Sequence, residues 1–251
     1  MAPTAQPAAV AEVPLHEHLR RHARERPDAV AYLWYGRALS WAEIDRASDA
    51  FAARLQALQV QPGEPVALFL GNCPQYVVAH FGIQKIGAIV CPCGPLNKEH
   101  ELSYQLNDLR ARVIVAADSL LPVVERVRAQ TALQQVFMVR QAAWLPADPA
   151  LDVPPELLAL RDNPLPRPEG CEDFQTALDA GGQPAPVTIH LDDVALMTYT
   201  SGTTGLPKGA MLSYGNALFK TAAAANCNVV TPNDVLLAIA PLYHIAGMVM
   251  G

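Results

Sequence analysis

The 251-residue sequence contains no run of five or more basic residues. The densest stretch, Arg20 to Arg26, is interrupted by His22, Ala23 and Glu25. With a formal net charge of −6, nucleic acid is not the favoured partner. A run of eighteen apolar residues is also missing. Val66 to Val90 comes nearest, but Asn72, Pro74, Gln75, His80, Gln84 and Lys85 break it, so no transmembrane segment is expected. Contact with a membrane surface stays open. The first residues, MAPTAQPAAVAEVP, lack a basic region followed by a long apolar core. They read as a flexible tail over 1–14 rather than a signal peptide, and the expected location is the cytoplasm. The five cysteines, Cys73, Cys91, Cys93, Cys171 and Cys227, include no second close pair that would complete a zinc site. Cys91-Pro92-Cys93 has no redox-type surroundings and reads as small semi-buried thiols at a strand end in a reducing compartment. There is no internal repeat and no low-complexity tract.

What is abundant is apolar residues, 51% of the chain, ample for a buried core. Their spacing predicts a helix with Leu15, Leu19 and Ala23 on one face, closed by Pro27. A strand is expected over Ala29 to Tyr35, ended by Gly36-Arg37. Ser40-Trp41-Ala42-Glu43 is a capping box; Ile44, Ala47, Phe51, Leu55 and Leu58 then repeat at helical spacing. Further strands are predicted over Val66 to Leu70, Ala88 to Cys91, Val113 to Ala116 and Val136 to Val139. Helices over Gln75 to Ile86, Lys98 to Leu109 and Leu121 to Gln130 alternate with them. The pattern implies an α/β fold of Rossmann-like, mainly parallel sheets covered by helices, with ligands at the carboxyl ends of the strands.

Residues 15–140 form the first α/β portion on this reading. Residues 141–190 carry nine of the 22 prolines and read as a long irregular connection, with one helix near Phe174 to Leu178, leading to a second sheet or sub-domain. Residues 191–251 begin that second portion. It consists of a strand from Val194 to Thr200, a helix from Tyr214 to Asn226 with Ser213 as N-cap, a strand from Val235 to Ala240, and a loop beyond it. His16, His18 and His22 read as a solvated helix face, and His80 as a satisfied core or boundary histidine.

The stretch Tyr199-Thr200-Ser201-Gly202-Thr203-Thr204-Gly205-Leu206-Pro207-Lys208-Gly209 carries the chemistry. Its glycines let backbone N–H groups approach anionic oxygens, its hydroxyls donate further bonds, and Lys208 adds a mobile charge. This combination suits a polyphosphate. A Walker A loop is excluded, because Pro207 stands where that motif has glycine and Gly209 where it has a hydroxyl. The dinucleotide fingerprint G-x-G-x-x-G is absent. In a chain of net charge −6, a polyphosphate has to be held by local donors and magnesium rather than by a general positive field.

The run T-S-G-T-T-G-L-P-K-G, preceded by Tyr, resembles the signature of the adenylate-forming (AMP-binding) enzymes: acyl-CoA synthetases, aryl-CoA ligases, luciferases and the adenylation domains of peptide synthetases. RALSWAEIDRASDAFAARL, the block from Pro65 to Ala116 and PLYHIAG are also similar to parts of that family, so the resemblance covers nearly the whole chain. It leans to the acyl-CoA synthetase or fatty-acid–CoA ligase branch. Near Cys93-Gly94-Pro95-Leu96-Asn97 this sequence departs slightly from the family's P-x-N-P.

The resemblance implies an incomplete large N-terminal domain of an adenylate-forming enzyme. It implies ATP, Mg2+ and coenzyme A as reactants, and activation of a fatty or aryl carboxylic acid to an acyl-adenylate, then a thioester. Loading of a carrier protein and a non-catalytic nucleotide-binding remnant are the alternatives. Thr200, Ser201, Gly202, Thr203, Thr204 and Lys208 match its ATP-phosphate loop. Thr200 most resembles the threonine that touches magnesium. His244 matches a histidine beside the reacting carboxylate, and Ala246 and Met248 lie where the acyl pocket begins. The family pattern continues past Gly251 with adenine, ribose and magnesium motifs and a late catalytic lysine, so a fragment inactive alone is expected.

Overall fold

The computed structural model describes residues 12–200, 206–227, 230–231 and 233–250. Helix α1 (Leu15–Glu25) buries Leu19 and stops ahead of Pro27. Strands β1 (Val30–Trp34) and β2 (Arg37–Ser40) form a separate antiparallel hairpin. Its turn residues Tyr35 and Gly36 both have positive φ, as tight hairpins require. The sequence reading ended the strand at Gly36-Arg37 and missed β2. Helix α2 (Trp41–Ala57) starts at the predicted capping box. There the Glu43 N–H donates to Ser40 Oγ (3.2 Å), and the Ser40 N–H donates to Glu43 Oε2 (2.7 Å).

Strand and helix then alternate as the periodicity predicts: β3 (Pro65–Phe69), α3 (Pro74–Lys85), β4 (Ile89–Pro92), α4 (Glu99–Leu109), β5 (Val113–Ala117), α5 (Leu121–Arg128) and β6 (Gln135–Val139). The 141–190 stretch is less irregular than expected. It holds α6 (Pro155–Asp162), β7 (Cys171–Asp173) and α7 (Phe174–Asp179), the last covering the helix predicted near Phe174. Strands β8 (Val194–Thr200) and β9 (Lys208–Ser213) lead into α8 (Tyr214–Cys227). Ser213 Oγ accepts from the Asn216 N–H at the start of α8, the predicted cap. Helix α9 (Ile245–Met250) follows.

One seven-stranded sheet runs in the order β7-β6-β5-β3-β4-β8-β9. Its pairs are parallel except β8 with β9. The chain is therefore an α/β fold with a mixed, mostly parallel sheet flanked by helices. The sequence reading had the chain pass to a second sheet or sub-domain ahead of β8. Instead β8 adds to the free edge of β4 through Val90 and Leu196, and β7 extends the other edge through Val136 and Cys171. Such non-local pairings leave no periodic mark in the sequence.

Alternation along β3 divides the core. Val66 and Leu68 face a cluster that includes Phe51, Val78, Phe137 and Tyr214. Ala67 and Phe69 face a second cluster with Leu102, Leu106 and Val124. Helices α1, α2, α3, α7 and α8 thus cover one face, and α4 and α5 the other, so β3 is buried on both sides.

Helices α2 and α3 meet where Gly82 has no side chain. A Cβ there would lie 2.8 Å from Phe51 Cδ1 and 3.0 Å from the Ser48 carbonyl oxygen. Alanine gains about 0.5–1 kcal/mol of helix propensity over glycine, whereas overpacking costs about 1–3 kcal/mol. Because one contact is backbone, we expect Gly82→Ala to lower stability by about 1–2 kcal/mol in urea unfolding. A stability equal to or above wild type would show that this helix contact yields.

The strand expected over Val235 to Ala240 is not formed. This segment has no ladder partner among the described residues, and Leu237 and Ile239 are 83% and 79% exposed. A β propensity cannot be realised without a neighbouring edge. The solvated-face reading of His16 also fails. The side chain is buried against Tyr214, because α1 lies on α2 and α8 instead of facing water. His80 is buried, but its Nδ1 has no hydrogen-bond partner. No described helix is long and apolar enough to cross a membrane.

Candidate functional site

The parallel strands end along one rim, and the motif residues gather there. Strand β8 brings Thr200 to its carboxyl end, and β9 begins with Lys208. The two residues are direct partners in the antiparallel ladder, and opposed residues of such a pair project to the same face. Thr200 and Lys208 therefore project to the same face at the mouth of the loop, both exposed. Ser201, Gly202, Thr203 and Thr204 lie outside the described residues. β9 itself went unread in the sequence, because Lys208-Gly209-Ala210-Met211-Leu212-Ser213 lacks a clear polar–apolar alternation.

Two side chains on α4 reach this hairpin. The Tyr104 hydroxyl donates to the Pro207 carbonyl oxygen at 2.8 Å, and the Tyr199 hydroxyl donates to Asp108 Oδ2 at 2.5 Å. Burial, reinforced by the Asp108 carboxylate, raises the Tyr199 phenol above its ordinary range. Neither Tyr104 nor Asp108 was singled out from the sequence; their only signal is a four-residue spacing that places them on one helix face.

The second group of motif residues is held by the turn after β3. Asn72 Nδ2 donates to the carbonyl oxygens of Ala238 (3.0 Å) and Ala240 (2.9 Å), and its Oδ1 accepts from the Leu242 N–H (2.7 Å). The buried Tyr76 hydroxyl donates to the Leu242 carbonyl oxygen at 2.9 Å. These four bonds seat the Pro241–Gly247 loop on the start of α3. His244 follows as the cap of α9, its Nδ1 accepting from the Ala246 N–H at 3.3 Å. A neutral ring in this arrangement carries its proton on Nε2. His244 and Ala246 are exposed, and Met248 packs partly on the first core cluster. Asn72 and Tyr76 were likewise missed, since their partners are backbone carbonyls and an N–H some 166 to 170 residues away.

Only β4 separates β3 from β8. At about 4.8 Å per strand, the two groups rise from strand ends about 10 Å apart across the rim. That spacing suits one extended ligand with an anionic end at the hairpin and another group beside His244. Between them, Cys91 and Cys93 are fully buried. Burial raises the Cys93 thiol to about 12 and Cys91 well above its ordinary value. They are packing groups, more deeply buried than the sequence suggested, and not nucleophiles.

Among the described residues no group of three or more His, Cys, Asp or Glu is arranged to hold a metal. A magnesium ion bound mainly through substrate phosphates and water needs no such cage, and a single threonine hydroxyl such as that of Thr200 is compatible with that mode.

Comparison with known proteins bears on the family and the fold. Residues 19–251 match the family described as AMP-binding enzyme. A long-chain-fatty-acid–CoA ligase of Bacillus subtilis is 30% identical over 239 residues, covering 93% of this chain and 43% of that protein. The ligase of the same name from Escherichia coli O6:H1 is 35% identical over 225 residues, covering 87% and 40%. Among solved structures, a long-chain-fatty-acid–CoA ligase from Archaeoglobus fulgidus superposes with a TM-score of 0.76 at 20% identity, over 96% of this chain and 45% of that one, a likeness of fold. The chain spans less than half the length of the curated relatives it matches. With the family match over nearly its full length and the loop hairpin at the rim of a mostly parallel sheet, the chain belongs to the AMP-binding enzyme family.

Proposed function

We propose that the protein activates a carboxylic acid with ATP, releasing pyrophosphate, and passes the acyl group from the adenylate to the thiol of coenzyme A. The observation that carries this reading is the Thr200–Lys208 pair closing a glycine- and hydroxyl-rich loop at the sheet rim. The reaction brings two anions together and expels a third, so its main demand is electrostatic stabilisation of the phosphoryl oxygens.

In this reading Lys208 neutralises phosphate charge. Ser201, Gly202, Thr203 and Thr204 supply hydroxyl and backbone donors, and the Thr200 hydroxyl contributes to magnesium. When bound, magnesium would neutralise charge on the phosphates. His244 stands near the carboxylate, where Nε2–H can donate to it, and Ala246 and Met248 begin the pocket for its tail. The acid is fatty or aryl. That choice follows the apolar Pro241–Gly247 loop and the relatives, which include a 4-coumarate–CoA ligase of Oryza sativa. We further propose that the enzyme works in the cytoplasm.

The test is carboxylate-dependent exchange of labelled pyrophosphate into ATP by the whole protein. Lys208→Ala should lower the exchange rate by about a hundredfold, the effect of removing one preorganised charge-stabilising donor. An unchanged rate would mean that Lys208 is merely solvated, and no exchange with any fatty or aryl acid would overturn the reading.

A further inference from the structure

Strand β9 is the last strand of its sheet. Its only ladder partner among the described residues is β8, and Met211 on it is 66% exposed. A hairpin at a sheet edge has little to fix its tip, yet a phosphate loop has to present its donors in a set position. Here the tip is tied to a helix on the opposite face from α8. α4 is anchored by Leu102, Leu106 and Leu109 in the second core cluster. Gln105 Nε2 ties it further to the end of β4 by donating to the Pro92 carbonyl oxygen at 2.8 Å.

From this mount Tyr104 holds the Pro207 carbonyl, and Asp108 holds the Tyr199 hydroxyl. Pro207 precedes Lys208 and Tyr199 precedes Thr200, so each bond lands next to one member of the pair that closes the loop. Gly209, the ladder partner of Tyr199, leaves room for this arrangement. A Cβ there would meet Met197 Sδ at 3.1 Å and Tyr199 Cζ at 3.3 Å.

We propose that Tyr104 and Asp108 are positioning residues that clamp both flanks of the phosphate loop to α4 and so set the place of Thr200 and Lys208. Its catalytic consequence rests on the proposed adenylation; the clamp itself does not. Tyr104 acts just ahead of the strand leaving the loop and Asp108 on the strand entering it, so the pair holds Pro207 and Tyr199 to the same helix. Losing either bond leaves one flank held; losing both frees the hairpin tip while the core under β3 and β5 stays intact.

The experiment compares Tyr104→Phe, Asp108→Ala, their combination and Asp108→Asn in the whole protein. Two readouts are taken: deuterium uptake by peptides within 194–213, and exchange kinetics with ATP and acid varied separately. In the double variant, uptake over Leu206–Met211 should quicken about tenfold, with β3 and β5 peptides unchanged. The KM for ATP should rise about tenfold, the size expected from losing a hydrogen bond to a charged group, while the KM for the acid moves less than twofold. Asp108→Asn keeps an acceptor oxygen and should restore most of both effects.

Unchanged uptake overturns the clamp. Uptake that quickens equally in β3 and β5 overturns it too, as a merely structural role. Quickened uptake with an unmoved KM for ATP overturns the assignment to the phosphate loop. If the wild type shows no exchange while uptake changes only in the hairpin, the clamp stands and the adenylation reading falls.

Discussion

Between pH 7 and pH 5 the protein should lose about 4 kcal/mol of folding stability through two histidines, His16 on α1 and His80 on α3. Both are nearly inaccessible, at 3% and 8% exposure. Burial, helped by the positive charges of Arg20 and Lys85, lowers His16 from 6.5 to about 3. Burial alone lowers His80 to about 4. His80 lies between the rings of Tyr76 and Phe81. Glu17 Oε1 is 3.5 Å from His16 Nε2, but Arg20 already holds the same oxygen at 2.8 Å, so it offers little to an imidazolium.

With folded values below the unfolded one, the unfolded chain binds more protons once the pH drops under about 6.5. Stability therefore falls from there, until about pH 4 for His80 and about pH 3 for His16. At about 1.4 kcal/mol per unit, pH 5 costs about 2 kcal/mol for each. Urea unfolding at the two pH values measures the sum. His80→Leu should remove about half of the pH-dependent loss, whatever it does to stability at pH 7. If that variant loses as much as wild type, His80 is not held neutral in the fold.

A second large effect is expected at Lys85, the last residue of α3 and only 3% exposed. Its Nζ lies 2.6 Å from Asp45 Oδ1 and 2.7 Å from Asp49 Oδ1, and it also donates to the Asp45 carbonyl oxygen at 2.9 Å. All three ammonium donors are thereby used, which is how a charge tolerates burial. Lys85→Met leaves two carboxylates facing each other, with Arg20, 3.6 Å from Asp49, as the remaining ion-pair partner among the described residues. Removing one partner of a buried ion network costs about 3–5 kcal/mol, so the urea midpoint should fall by that equivalent. The triple variant Lys85→Met, Asp45→Asn, Asp49→Asn should recover much of the loss. If Lys85→Met alone costs under about 1 kcal/mol, the network is an ordinary surface one. The consequence reaches the site, because α3 carries at its other end Tyr76, which holds the Leu242 carbonyl two residues before His244.

These cases mark the limit of sequence reading. In the sequence Lys85 only interrupts an apolar run, and His16 beside His18 and His22 looks like a solvated face. Nothing local says that α1, α2 and α3 converge on them. The strand expected over Val235 to Ala240 fails for a related reason, since a strand needs a partner that propensity cannot supply.

What the sequence determined by itself was local and chemical. The Ser40–Glu43 box started α2, apolar periodicity set the alternation of strands and helices, and the run from Thr200 to Lys208 carried the resemblance to the family. Such features depend on residues within a few positions of one another, so the code for them is contiguous. The tertiary structure alone decided that β8 joins the same sheet as β4, that Lys208 stands opposite Thr200, that Tyr104 and Asp108 bond to Pro207 and Tyr199, and that Asn72 and Tyr76 bond to the segment from Ala238 to Leu242. Those outcomes depend on pairing, burial and hydrogen bonds between segments about 90 to 170 residues apart, as at Tyr199–Asp108 and Asn72–Leu242. Their energies arise only once the intervening chain has folded.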